Sequence, residues 1–226
     1  MSNFEILDSK ISFLQVFYQQ TTDPFREIER KIDANEEPYV AHGNPEDYDE
    51  PPFLTEWQEA DEGLRLQGQV CLALLQRSFR EFLKATVRQH RDYPNSRPKE
   101  KGNWFENYKT WFWEEAAIDW GEAPISLNRI EELTIARNCI QHGGESQSGP
   151  GDVFDSHALL KMQSNDYHEK FPDAFFADEF EKQIWAESNY PQPVRIDLTP
   201  DKLGVAGDDI RTFCKFIDDN LPGWMY

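Results

Sequence analysis

Residues 128–142, Asn128-Arg129-Ile130-Glu131-Glu132-Leu133-Thr134-Ile135-Ala136-Arg137-Asn138-Cys139-Ile140-Gln141-His142, read as one helix with a chemically loaded end. Asn128 followed three residues later by Glu131 has the form of an N-cap and its reciprocal partner, and Glu132 adds a carboxylate to the first turn. Ile130, Leu133, Arg137 and Ile140 recur at helical spacing, so an apolar stripe runs around the aliphatic stem of the arginine. Asn138 and His142, four apart, share a neighbouring face. Gly143-Gly144 stops the helix at its histidine. There the negative end of the helix dipole favours imidazolium, the protonation state that a general acid needs.

Cleavage of RNA through its own 2'-hydroxyl needs a base, an acid and positive charge on the phosphorane, and acid-base help is typically worth about 10²–10⁴-fold. One histidine cannot hold both protonation states at once. Two copies related by a dyad can divide the work, one His142 as base and the other as acid, with both Arg137 forks on the non-bridging oxygens. The two-fold is a requirement of this hypothesis, and closed dimers are the commonest oligomers. The plainer alternative pairs Arg137 with a carboxylate such as Glu131 or Glu132 of a facing copy and leaves His142 as a C-capping residue.

With Arg137, Asn138 and His142 in these places, the chain resembles the HEPN family, whose signature is Arg, usually followed by Asn, then three residues and His near the end of a late helix. The resemblance implies a helical bundle. It also implies a metal-independent endoribonuclease, often a toxin or antiviral effector, in which two protomers contribute Arg and His to one cleft. Arg137, Asn138 and His142 are then the catalytic residues, with no cofactor and no metal. Other members of the family are non-catalytic binding modules. One subgroup carries a Tyr two residues after the His. Here Gly144 stands there, so partnership with that subgroup's antitoxin is not implied.

Composition sets the outer limits. A chain of 226 residues with 38% apolar and 14% aromatic residues can build a real core. No stretch approaches 18 uninterrupted apolar residues, and Met1–Gln20 has neither a basic start nor a small-residue cleavage site, so a cytoplasmic protein without a membrane segment is expected. Cys71, Cys139 and Cys214 are three, scattered, and suit reduced core thiols.

A net charge of −19 argues against a general nucleic-acid binder. The average hides a pattern. Residues 1–63 carry 4 basic and 16 acidic groups, residues 64–101 carry 9 and 3, and residues 102–226 carry 10 and 23. One basic island thus sits in an acidic chain, from Arg77, Arg80 and Lys84 to Arg88, Arg91, Arg97, Lys99 and Lys101. The last five are the candidate RNA contacts, able to steer a strand locally. The blander reading is the solvated face of a helix and its loop.

Outward from the motif, the pattern is mostly helical. Ile11, Phe13, Leu14, Val16 and Phe17 suggest a first helix after Asp8 or Ser9, and Thr22-Asp23-Pro24 has the form of a second helix start running toward Ala34. Residues 35–53, rich in Pro and carboxylates, read as an acidic loop. From about Glu56 to His90, Val70, Cys71, Leu74, Leu75, Phe79, Phe82 and Leu83 mark a central helix, with Gly63 and Gly68 expected to bend or split its start. A strongly aromatic helix is expected near Asn103–Ala117, its rings serving as core or dimer interface rather than as a base-stacking platform. Gly143–Gly151 is a glycine-rich loop. His157 and His168 lack close metal-type spacing. Val194–Leu198 alternates like a short strand, and Ile210, Phe213, Cys214, Ile217 and Leu221 outline a closing helix that ends at Pro222-Gly223.

No nucleoside triphosphate loop, dinucleotide fingerprint or G-x-S-x-G nucleophile turn occurs. The expected architecture is all-α: an N-terminal helical extension with its acidic loop over 1–52, and a HEPN-like bundle over 53–226 with a small β-hairpin before the last helix. The expected function is a homodimeric, metal-independent endoribonuclease acting on RNA, with a basic antitoxin or regulatory protein as a further partner. The rival reading is a non-catalytic module that holds a basic protein through its acidic surface.

Overall fold

The structure is a computed structural model that describes residues 1–42, 50–90, 95–99, 104–142, 175 and 198–222. Its elements are α1 (Asn3–Asp33), α2 (Leu54–Arg88), α3 (Trp104–Ala116), a 3-10 turn at Trp120–Glu122, α4 (Leu127–His142) and α5 (Pro200–Asn220). The protein is all-α among the described residues. No helix among them is long and apolar enough to cross a membrane. The strand expected at 194–198 lies outside the described residues except for Leu198.

A capping box starts α1. Ser2 Oγ accepts from Glu5 N at 3.1 Å, and Ser2 N donates to Glu5 Oε2 at 2.6 Å. Leu7, Ile11, Leu14, Tyr18 and Thr22 then form one buried stripe at helical spacing. Two short helices were expected here, yet α1 runs through Pro24 without a break. An interior proline costs about 3 kcal/mol, whereas each large apolar side chain on the stripe gains about 1.5–3 kcal/mol by burial. Packing therefore wins. Thr21 and Thr22 stand just ahead of the proline, their hydroxyls donating to Phe17 O and Tyr18 O at 2.8 and 2.7 Å.

The central helix α2 packs on α1, α4 and α5. Its buried side includes Cys71, Leu72, Leu75, Phe79, Phe82 and Leu83. Gly63 and Gly68 do not split it. They admit neighbours instead: a Cβ on Gly63 would stand 2.5 Å from the Phe25 ring, and one on Gly68 would stand 3.1 Å from Leu198. Near the other end of the α1–α2 pair, Ile6, Leu7 and Lys10 share a small cleft with Ser78, Glu81 and Phe82. Contact of residue 25 with 63, and of 6–10 with 78–82, makes the two helices antiparallel.

Aromatic rings join α3 to this body. Trp120, in the 3-10 turn, stands edge-on to Phe105 at 5.2 Å and to Phe213 at 5.0 Å, with Phe112 at 5.6 Å. Phe105, Tyr108, Trp111 and Phe112 are buried, as expected of a core stripe, while Trp113 is 60% exposed. The closing helix α5 begins at Pro200, ten residues before its first expected apolar position. Thr199 caps it by accepting from Lys202 N at 3.2 Å, with Pro200 in the first turn. Just ahead of that cap, Leu198 is buried and its carbonyl accepts the Tyr18 hydroxyl.

Residues from α1 to α5 share a single hydrophobic cluster, which contains Leu7 and Ile11 as well as Phe79, Ile130 and Phe213. The N-terminal helix is integral to that core. Cys71 and Cys214 lie within it, reduced and fully buried. Burial pushes the Cys71 thiol up to about 11. It raises Cys214 well above the ordinary value, and the nearby Asp218 charge adds to the effect.

Candidate functional site

Helix α4 carries the motif. It begins at Leu127, so Asn128 is an exposed residue within the helix and not its cap, and Arg129 N instead donates to Ser126 O at 3.2 Å. Ile130, Leu133 and Ala136 bury its inner face, and Glu132 and Thr134 are buried with them. An ion pair with α5 fixes its near end, Arg129 Nη1 lying 2.9 Å from Asp209 Oδ2. The same guanidinium lies 5.1 Å from the centre of the Phe175 ring.

Arg137 stands on the side of α4 that faces the core, half-buried, with its Nε closed off from solvent. Burial lowers the guanidinium's pKa from its ordinary value, and the positive charge of Arg80 on α2 lowers it further. Arg80 is itself half-buried. Its guanidinium carbon lies 5.2 Å from the centre of the Trp104 ring, and its Nε is also closed to solvent. Trp104 is held in turn by Phe79 at 6.3 Å and by Phe105 and Tyr108, both at 5.9 Å. The sequence motif thus meets a second arginine that was expected only as part of a basic run.

The backbone of α4 remains helical through Asn138 and His142. Their side chains, and that of Cys139, lie outside the described residues. Helical geometry places position 142 about 7.5 Å along the axis from position 137 and about 140° around it. The two motif positions therefore do not share a face of one helix. Asn138 and His142 positions, about 40° apart, do.

Of the candidate RNA contacts, Arg88, Arg97 and Lys99 are exposed, and Arg91 and Lys101 lie outside the described residues. Arg77, Arg80, Lys84 and Arg88 fall within about 80° of arc on α2, so the basic island is one stripe along that helix. Where the island continues, the Lys99 carbonyl accepts from Asn107 Nδ2 at 2.9 Å, fastening residues 95–99 to α3. The glycine-rich loop 143–151 and both His157 and His168 lie outside the described residues.

His90 attracted no attention in the sequence beyond closing a helix. It is 5% exposed, edge-on to Trp111 at 5.3 Å, with Nε2 3.6 Å from Glu115 Oε2. Its role is to pin the end of α2 onto α3.

Together these elements are helical among the described residues, with two half-buried arginines, Arg80 on α2 and Arg137 on α4, the charge of the first acting on the second. Scanned against protein-family models, the chain matches none, and no curated protein or solved structure matches it either.

Proposed function

We propose that this protein is a metal-independent endoribonuclease of the HEPN type, a cytoplasmic toxin or antiviral-defence effector that acts as a homodimer. Arg137 and His142 of each copy form one composite site, with Asn138 orienting them. The observation that carries the reading is Arg137 itself: a guanidinium near the end of a late helix, half-buried beside a second guanidinium, in a chain of net charge −19. A guanidinium whose stem is fixed there suits a phosphodiester. The angular separation of positions 137 and 142 supports a site completed by a second copy. Across the dyad one His142 removes the 2'-hydroxyl proton, the other protonates the departing 5'-oxygen, and the Arg137 forks neutralise the phosphorane.

Incubation of the protein with single-stranded and structured RNA in EDTA tests this. Cleavage is expected to leave 2',3'-cyclic phosphate ends and to fall by at least about 10²-fold in His142→Ala and in Arg137→Ala. Undiminished cleavage by both variants rejects the assignment. If the protein instead forms a salt-sensitive complex with a basic protein, insensitive to His142→Ala, it is a binding module of the same fold.

A further inference from the structure

We infer that the outer face of the α1–α2 pair is an interface between two copies of this chain, related by a two-fold axis. No residue of α4 belongs to it, so it stands apart from the nuclease reading.

The face is one surface. Phe13 and Phe17 lie one heptad beyond Ile6 and Lys10 on α1, and Leu74 and Val70 lie four and eight residues before Ser78 on α2. Ile6, Lys10 and Ser78 line the same small cleft between the helices, so both rows continue along the side on which that cleft opens. The antiparallel register, with residue 25 against 63 and 6–10 against 78–82, brings the two rows level with each other. Leu66, Val70 and Leu74 fall within about 80° of arc on α2. Across from them the Phe13 and Phe17 rings stack with centroids 5.9 Å apart, which holds the outer ring in place.

Exposure here is at odds with side-chain chemistry. Phe13, Val16, Leu66, Val70 and Leu74 are 63, 54, 49, 48 and 37% exposed. Single exposed apolar residues are ordinary, but a contiguous set on the order of 500 Å² is at the upper end of what a monomer carries, and such patches mark interaction surfaces. With the glutamines between them, the face approaches the roughly 800 Å² per partner that a stable interface buries.

Charge selects the occupant. Residues 11–22 and 66–76 contain no charged side chain, in a chain with 29% charged residues and a net charge of −19. Two copies of so acidic a protein repel each other over most of their surface, and this belt is where they can meet without bringing carboxylates together. A nucleic acid or a basic protein would need the opposite, charge at the contact. A second copy supplies the same uncharged apolar rows, and a half-turn lays one antiparallel pair on the other as a four-helix layer.

Sedimentation equilibrium of the full-length protein tests this, with an expected mass of at least twice that of one chain at micromolar concentration. Phe13→Gln combined with Val70→Gln should raise the dissociation constant by at least about 10²-fold and halve the mass, with helical circular dichroism unchanged because both side chains are exposed. Where the two-fold of the nuclease reading is present as well, that fall is from tetramer to dimer. Trp113→Gln, altering a ring 60% exposed on α3, should leave the mass as it was. Added KCl should hold or tighten the assembly, since screening weakens the repulsion between acidic copies. A wild-type protein of single-chain mass, an undiminished mass in the folded double variant, or an assembly that salt takes apart would each overturn the interface. None of those results bears on RNA cleavage.

Discussion

Asp218, in the last turn of α5, shows how one carboxylate can work against the fold that holds it. Burial raises its pKa above the ordinary 3.8, Asp219 and Glu5 add repulsion, and Lys215 opposes them. The negative end of the helix dipole is unfavourable there too, and the last turn has no basic residue to complement it. A raised folded-state value means that the group's contribution to stability is fully present below about pH 3.8 and is lost as pH rises through the raised value. At neutral pH the charge is therefore a cost, and Asp218→Asn should stabilise the protein by about 0.5 kcal/mol after allowance for solvent screening. The gain should vanish below about pH 3.8. Urea unfolding at pH 7 and pH 3.5 checks both halves. Equal gains at the two values would mean that the carboxylate's charge is not the cause. At this same scale Arg137 was legible in the sequence, because helix periodicity and the glycine stop locate it near a helix end. Its neighbour Arg80 was not, since 57 residues separate the two and only the packing of α2 on α4 brings them together.

Among the elements, the glycines of α2 and α5 give opposite expectations. A mid-helix Gly→Ala change is worth about 1 kcal/mol through propensity alone. At Gly204 nothing lies within 4 Å of the added methyl, so Gly204→Ala should stabilise by about that amount. Gly63→Ala would drive its methyl to 2.5 Å from the Phe25 ring, and overpacking of this kind costs about 1–3 kcal/mol. A net loss is expected, recovered in part by Phe25→Leu, with the coupling measured by a double-mutant cycle. Full additivity would show that the two helices do not meet there as described. These glycines also mark where sequence reading stopped short. The apolar stripe of α2 was visible at Cys71, Leu75, Phe79, Phe82 and Leu83, where period and burial agree, while Val70 and Leu74, read into the same stripe, are exposed. Gly63 and Gly68 looked like breaks, when their function is to let Phe25 and Leu198 approach. Pro24 looked like a start, because propensity favours a new helix there and only the buried stripe on either side overrules it. The first turns of α5 carry Leu203, Ala206 and Gly207 to the core, and the small residues gave too faint a periodic signal to extend the helix back to Thr199.

For the molecule as a whole, the closed core decides what reagents can reach. Cys71 and Cys214 sit at zero exposure, with thiols that burial keeps from ionising at neutral pH, and it is the thiolate that attacks a disulfide-exchange reagent. Neither sulfur can react until the helices around it part. With Cys139 replaced by serine, modification in native buffer should run at least about 10³-fold slower than for the denatured chain, both sulfurs at one common rate. A rapidly labelled sulfur at zero denaturant would place that residue in a segment that opens on its own. The paired sulfurs thus act as a built-in stopwatch. With nothing attached to the protein, their titration over time would report how often the entire bundle comes apart, and would do so in a crowded lysate as readily as in a cuvette.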